Sequence, residues 1–250
     1  MVLNIIGIGL DNEQDITLKG LELVKNSDFV YLENYTSQLN VSVQKLEELY
    51  GKKIILANRE FVEQKLHIID NAKTKNVSIL VIGDIFGATT HYELYMRAKK
   101  ANIKVNLVHN SSIINAVAVT GLMLYSFGKT TSIPFPQPNY KPETAYDVIK
   151  QNLQNGFHTL VLLDLKPEED KYMTVNEGLS ILLGIEEKRK EKVFTEQTMV
   201  LGCARIGGDF KIRYGEAKKI LNDEFGKPLH SIIVPGKMHF LEEEALQQWK

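Results

Sequence analysis

The residues best equipped for chemistry sit in one short segment, Gly83-Asp84-Ile85-Phe86-Gly87-Ala88-Thr89-Thr90-His91. A carboxylate, two glycines, two hydroxyls and an imidazole follow directly on the apolar run Val77–Ile82. Asp84 could accept hydrogen bonds from a ribose or an amine, and Gly87 would let a ligand approach the backbone. Thr89, Thr90 and His91 could equally cap the helix that follows, a role threonine fills well. The residues leave both readings open. A second segment, Gly7-Ile8-Gly9, ends the apolar run Val2–Ile8 and invites comparison with dinucleotide-binding turns, which read G-x-G-x-x-G. Position 12 is Asn, however, and Asp11, Glu13 and Asp15 would repel a pyrophosphate. The turn therefore predicts either a tight bend that needs small residues or a phosphate-free ligand lying against it.

The other reactive side chains are scattered. His67, His91, His109, His158, His230 and His239 include no His-x-His or His-x-x-x-His pair, so no metal centre is expected. Taken singly, each reads first as a structural histidine, with His109 and His230 distinguished by flanking strand ends. No G-x-S-x-G elbow and no G-x-x-x-x-G-K-[ST] loop occur, which leaves serine hydrolase and P-loop chemistry without an anchor. The single cysteine, Cys203, lies in an apolar run and reads as an inert core residue. It cannot form an internal disulfide, and it fits a reducing cytoplasm.

The elements that must position these residues alternate along the chain. Strands are expected at Val2–Ile8, Phe29–Leu32, Ile54–Ala57, Val77–Ile82 and Ile103–Val108. Helices are expected after Asp15 (Leu18, Leu21 and Val24 on one face), at Val43–Tyr50, at Glu60–Ala72 (Phe61, Lys65 and Ile68 on one face), through Arg97, and from Ser112. Continuous apolar strands alternating with helices predict a parallel α/β sheet covered on both faces. Loop 83–91 then falls at the carboxyl end of a buried strand, where open α/β sheets bind ligands. Pro134, Pro136, Pro138 and Pro142 mark a boundary near Gly128, dividing the chain into 1–128 and 129–250. The second part is expected to hold helices at 142–154 and 174–190 and strands at His158–Leu163 and Ser231–Val234. Met199–Ile206 and Asp209–Tyr214 should form an antiparallel hairpin, and His239 to the end a charged helix. The charged run Glu186–Lys192 reads as a solvated helix end.

Composition narrows the classes further. Of 250 residues, 44% are hydrophobic and 24% charged, the make-up of a folded globular chain. Thirty basic residues against 31 acidic ones leave a net charge of -1, which argues against bulk electrostatic binding of nucleic acid. The start, MVLNIIGIGLDNEQD, lacks the pattern of a signal peptide. No apolar run approaches the ~18 residues of a membrane span.

In chain order, IGIGLDNEQDITLKGLELV, VYLENYTS, GDIFGATTH, VHNSSIINAVAVTGL with YSFGKT, GFHTLVLLDLK, YMTVNEG and LHSIIVPGKMH together resemble the diphthine synthase family, in the tetrapyrrole-methylase-like class. The match spans nearly the whole chain, and its specificity lies in the joint order. It implies two α/β domains with S-adenosylmethionine in a cleft between them. It further implies methylation of the amino group of the modified histidine in translation elongation factor 2, a homodimer, and neither a nucleic-acid nor a membrane partner. By matched position it implies a cofactor shell of Leu10, Asp84, Gly87, Ser112, Ile113, Leu163, Ile206 and His230, with S-adenosylhomocysteine as product. It names no catalytic side chain: His91, Asp84 or water could take the proton of the substrate amine. Ile85 stands where the family loop has proline, so a looser loop that still binds is expected. The short stretch Asp164–Tyr172 resembles the archaeal type, which adds three methyls, rather than the eukaryotic type, which goes on to esterify a carboxylate. A tetrapyrrole methyltransferase and a non-enzymatic ligand-binding α/β module are the alternative classes.

Overall fold

Val2–Gly7 (β1) carries apolar residues on both faces, and in the computed structural model of the chain it lies inside a five-stranded sheet. The structure describes residues 1–35, 37–63, 67–138 and 142–250. In the first unit, Met1–Ala116, the elements that follow are α1 (Leu18–Lys25), β2 (Phe29–Glu33), α2 (Val43–Tyr50), β3 (Ile54–Ala57), α3 (Arg59–Glu63) and α4 (His67–Ala72). They continue with β4 (Asn76–Val81), α5 (Tyr92–Lys100), β5 (Lys104–Val108) and the short α6 (Ile113–Ala116). The strands run in the order β3-β2-β4-β1-β5, all parallel, as the sequence pattern predicts.

Residues of β1 feed opposite cores: Leu3 and Ile5 join Val77, Ile79 and Leu94, whereas Ile6, and Ile8 just past the strand, join Val24, Leu46 and Leu80. Burial on both faces is why these strands lack apolar-polar alternation. On α1 the expected face shifts. Leu18 is 86% exposed, because Thr17 caps the helix and its Oγ1 accepts from Gly20 N, turning Gly20 and Val24 inward. A Cβ on Gly20 would come within 2.8 Å of Ile6, so the glycine lets α1 lie directly on β1. The helix expected over Glu60–Ala72 is described as α3 and α4; Lys65 lies outside the described residues.

The second unit, Val117–Lys250, contains β6 (Thr131–Ile133), α7 (Thr144–Gln154), β7 (Thr159–Leu163), β8 (Leu165–Lys166), β9 (Lys171–Tyr172) and α8 (Val175–Arg189). β10 (Met199–Ala204), β11 (Lys211–Glu216), α9 (Ala217–Ile220), β12 (His230–Val234) and α10 (Phe240–Leu246) complete it. Its sheet is mixed, ordered β11-β10-β12-β7-β6, with the expected hairpin formed by β10 and β11. Cys203 is fully buried in β10, and burial pushes its thiol up to about 12, which keeps it protonated.

The division between units falls at Ala116/Val117, earlier than the position near Gly128 drawn from the prolines. Segment 117–128 is tied to the second unit by hydrogen bonds. Met123 N donates to Glu242, Trp249 Nε1 donates to Thr120 O, and Ser126 O accepts from His158 N. The prolines mark a change of chain direction inside that unit. The run Glu186–Lys192 is also more than a solvated end. Glu186 accepts from the backbone N–H groups of Lys192, Val193 and Phe194 and from the Tyr146 hydroxyl. Arg189 bridges Glu143, Asp147 and Glu191.

Candidate cofactor site

In the first unit β1 and β4 end side by side, and their turns are stitched together. Gly83 N donates to Gly9 O at 2.7 Å and Gly9 N to Gly83 O at 3.3 Å, with φ of +85° and +80° at the two glycines. A Cβ on Gly7 would lie 2.7 Å from Gly83 O. The first glycine turn is therefore a close approach of two backbones, which accounts for its small residues without a ligand. Asp15, read from sequence as a phosphate repellent, shapes this turn: its Oδ2 accepts from the N–H groups of Leu10 and Asp11 at 3.1 and 2.9 Å.

Asp84 is fully engaged. Its Oδ1 accepts from Phe86 N (2.9 Å) and Gly87 N (3.0 Å), and its Oδ2 pairs with His109 Nδ1 (2.8 Å) and accepts from Asn110 N (3.1 Å). Four partners use the roughly four acceptor directions of a carboxylate. Burial works to raise its pKa, but the bonds from Phe86, Asn110 and His109 outweigh it and hold the carboxyl below its ordinary value. The side chain staples the loop to the strand end of β5, leaving no acceptor for a ribose or an amine. Asn110 completes the joint by donating from Nδ2 to Gly7 O and Asp15 O at 3.0 and 2.9 Å.

Ile85 is wholly buried in the core beneath the loop, and Thr89 Oγ1 donates to Ile85 O at 3.1 Å. These bonds and that burial anchor the loop without a proline, against the looseness that Ile85 at that position predicts. His91 occupies the N-cap position of α5 without a capping bond from its side chain. Gly87 faces Ser112, whose hydroxyl also accepts from Ile114 N at 3.2 Å, and Ile113 opens α6 beside it. Around Gly83, a Cβ would meet Leu10 at 3.5 Å, Ser111 O at 3.7 Å and Ser112 at 3.9 Å. The fold thus gathers Leu10, Asp84, Gly87, Ser112 and Ile113 at the carboxyl end of one parallel sheet.

In the second unit, register brings the remaining positions to one sheet end. Ala204 pairs with His230 and Leu162 with Ser231, so Leu163, His230 and the chain leaving β10 toward Ile206 are neighbours. All three are nearly buried. His230 Nδ1 accepts from Val175 N at 3.3 Å, and Nε2–H donates to Lys227 O at 3.0 Å. Burial, the largest influence, lowers its pKa and keeps the ring neutral. The imidazole holds the start of α8 against the 227–230 loop, the structural role, and its backbone is what remains to offer. Arg205 steadies the same loop, donating to Phe225 O and Lys227 O.

Sequence reasoning missed Asn110, Asp15, His109 and Arg205 as supports of these loops. Only Asn110 and His109 had a signal, as polar residues at a strand's carboxyl end. Among the described residues no group of three His, Cys, Asp or Glu side chains could hold a metal, and no helix is long and apolar enough to cross a membrane.

The class follows from fold and family together. The model for tetrapyrrole (corrin/porphyrin) methylases matches residues 2–212, and the chain is a member of that class. It is 48% identical over 244 residues to a diphthine synthase of Methanococcus maripaludis, covering 96% of each chain. It is 46% identical over 269 aligned positions to a diphthine methyl ester synthase of Dictyostelium discoideum, covering 100% of this chain and 98% of that one. A crystal structure of a diphthine synthase superposes with a TM-score of 0.91 at 34% identity, covering 100% of this chain and 96% of that one. A crystal structure of an Entamoeba histolytica protein superposes with a TM-score of 0.93 at 44% identity, covering 100% and 98%. Within the methylase class, the chain belongs to the diphthine synthase family.

Proposed function

We propose that the protein is an S-adenosylmethionine-dependent methyltransferase that trimethylates the amino group of the modified histidine in translation elongation factor 2, and that it works as a homodimer in the cytoplasm. The observation that carries this reading is the convergence of Leu10, Asp84, Gly87, Ser112 and Ile113 at one sheet end, in a chain of the diphthine synthase family.

The residues present suit this cofactor. The strand ends offer backbone groups and small side chains around Gly83, while Asp11, Glu13 and Asp15 surround the adjacent turn. A phosphate would be repelled there, whereas a sulfonium cation would be favoured. In the first unit Leu10, the loop 83–87 and Ser112–Ile113 would hold it; Leu163, Ile206 and the backbone at His230 are the candidates that the second unit offers. When bound, the cofactor supplies a methyl group already activated on sulfur. The chain's contribution is orientation: loops stapled by Asp84, Asp15 and Asn110 are pre-organised to hold the reacting atoms in line. Asp84 has no free acceptor, so the proton of the substrate amine goes to solvent rather than to this carboxylate.

Three methyl transfers are favoured over four by the local chain length. β8 and β9 pair directly across the turn Pro167–Glu169, so the stretch between Asp164 and Tyr172 closes as a minimal hairpin. The test is incubation with labelled S-adenosylmethionine and elongation factor 2 bearing the unmethylated intermediate, followed by peptide mass spectrometry. One, two and then three methyls should accumulate. A fourth, labile to mild base, would replace this reading with the esterifying one, and no transfer would discard it. Light scattering at micromolar concentration should show a dimer.

A further inference from the structure

The first unit contains a small cavity lined by Tyr35, Val62, Thr90, His91, Glu93, Leu94 and Arg97. His91 is 2% exposed, and its Nδ1 is buried without a hydrogen-bond partner. Its other nitrogen lies 3.4 Å from the Tyr35 hydroxyl, and the two rings tilt against each other with centroids 6.0 Å apart. A buried ring nitrogen left bare is destabilising, and buried polar groups are nearly always satisfied by protein or by ordered water. The cavity has a volume of about 10 Å³, at the lower edge of the roughly 10–15 Å³ that one water requires. Its lining combines hydroxyl, carboxylate and guanidinium groups, and a bound water needs two to four such partners.

We infer that this cavity is a binding site for one structural water, which completes the hydrogen bonding of His91 Nδ1 and makes His91 a positioning residue for the loop 83–91. Size selects the ligand. A single oxygen fits, whereas an amine that gains methyl groups does not, so the site takes solvent and not the methyl acceptor. Water also answers either tautomer of His91, because it can donate or accept. Burial lowers the His91 pKa to about 4, so the ring is neutral at physiological pH and does not serve as a proton acceptor there. The water anchors the far end of the loop, and Asp84 anchors the near end. His91 N lies 3.4 Å from Thr89 Oγ1, which itself donates to Ile85 O, and this carries the anchor back into the loop.

The water is read without any cofactor, so this inference can fail while the methyl-transfer reading stands. A high-resolution crystal structure of the unaltered protein should show one water within hydrogen-bond distance of His91 Nδ1. Oxygen-17 relaxation dispersion should count one long-lived water fewer in His91→Phe, whose ring lacks both nitrogens. In the same variant the amides of Thr89, Thr90 and His91 should exchange about tenfold faster, the effect of one hydrogen bond's net contribution. For S-adenosylmethionine, KM should rise with kcat within about twofold, the split a positioning role gives. A dry cavity in the unaltered protein overturns the inference whether or not the variant folds. An unchanged water count in a folded His91→Phe does so as well.

Discussion

Gly87 and Ser112 occupy one another's space: a Cβ on Gly87 would lie 2.7 Å from the Ser112 hydroxyl and 2.8 Å from its Cβ. This close approach seats the loop after β4 against the start of α6, two segments that the sequence separates by a helix and a strand. Gly87→Ala should therefore push the loop away from Ser112, with an overpacking cost of about 1–3 kcal/mol. Calorimetry should show weaker S-adenosylmethionine binding, and adding Ser112→Gly should recover part of it. Equal affinity in the alanine variant would mean that the loop yields freely.

Asp84 acts through the loop rather than on a ligand. Asp84→Ala frees the half-buried N–H groups of Phe86, Gly87 and Asn110, each at a cost of at most about 1–3 kcal/mol, the penalty of a fully buried unpaired donor. Asp84→Asn should rescue little, because its amide nitrogen would face donors. Hydrogen exchange should rise at residues 86–87 and 110 in both variants even without cofactor. Protection unchanged at those amides would return Asp84 to a ligand-binding role.

His158 and Glu242 form a buried pair at 3.0 Å, with His158 Nδ1 accepting from Gly236 N and Glu242 accepting from Met123 N and His239 N. Removing the carboxylate leaves the buried His158 Nε2–H and the N–H groups of Met123 and His239 without their acceptor, at about 1–3 kcal/mol for a buried donor, so Glu242→Ala should lower the denaturation midpoint. Burial works to raise the Glu242 pKa, but the bonds from Met123, His239 and His158 hold it below the ordinary value. A depressed carboxylate contributes stability that is complete above its unfolded pKa and lost as pH falls through the folded one. Urea midpoints measured on the unaltered protein should decline as pH drops below about 4, and Glu242→Gln should flatten that decline.

The neutral state of His91 gives a second pH signature. Its folded pKa, lowered to about 4 by burial, lies below the ordinary value of 6.5, so the unfolded chain binds the extra proton first. Stability should be complete above pH 6.5 and fall as pH drops from there toward 4. His91→Phe should remove this part of the slope, and an identical profile would show that His91 is not buried in its neutral form.

His230 should behave as a structural residue. His230→Ala removes the acceptor of Val175 N at the start of α8 and the donor to Lys227 O. Denaturant titration should register a loss of about 1–3 kcal/mol, with cofactor affinity in the folded variant changing less than in Asp84→Ala. A stable variant that no longer binds would show that the ring itself contacts the ligand.

Much of the architecture was written in local patterns. Val2–Gly7 and Asn76–Val81 are apolar on both faces because parallel strands are covered on both sides, and α2 ends at Tyr50 because Gly51 takes φ of +67°. Such signals lie within a few neighbouring residues, so composition and period alone place the elements and the strand-end loops. What each loop residue does was not legible, because hydrogen-bond partners are set across the sheet. Asp84 reads from sequence as a free carboxylate, yet His109 and Asn110, more than twenty residues away, take half of it. His230 likewise looks available until Val175 and Lys227 are brought to its two nitrogens. The unit boundary at Ala116 was hidden for the same reason, since the prolines mark a change of direction while Met123, Ser126 and Thr120 are claimed by Glu242, His158 and Trp249. Chain-local physics determines which elements form; the unsatisfied polar groups at their ends find partners only in three dimensions, and those partners decide which side chains are left for chemistry.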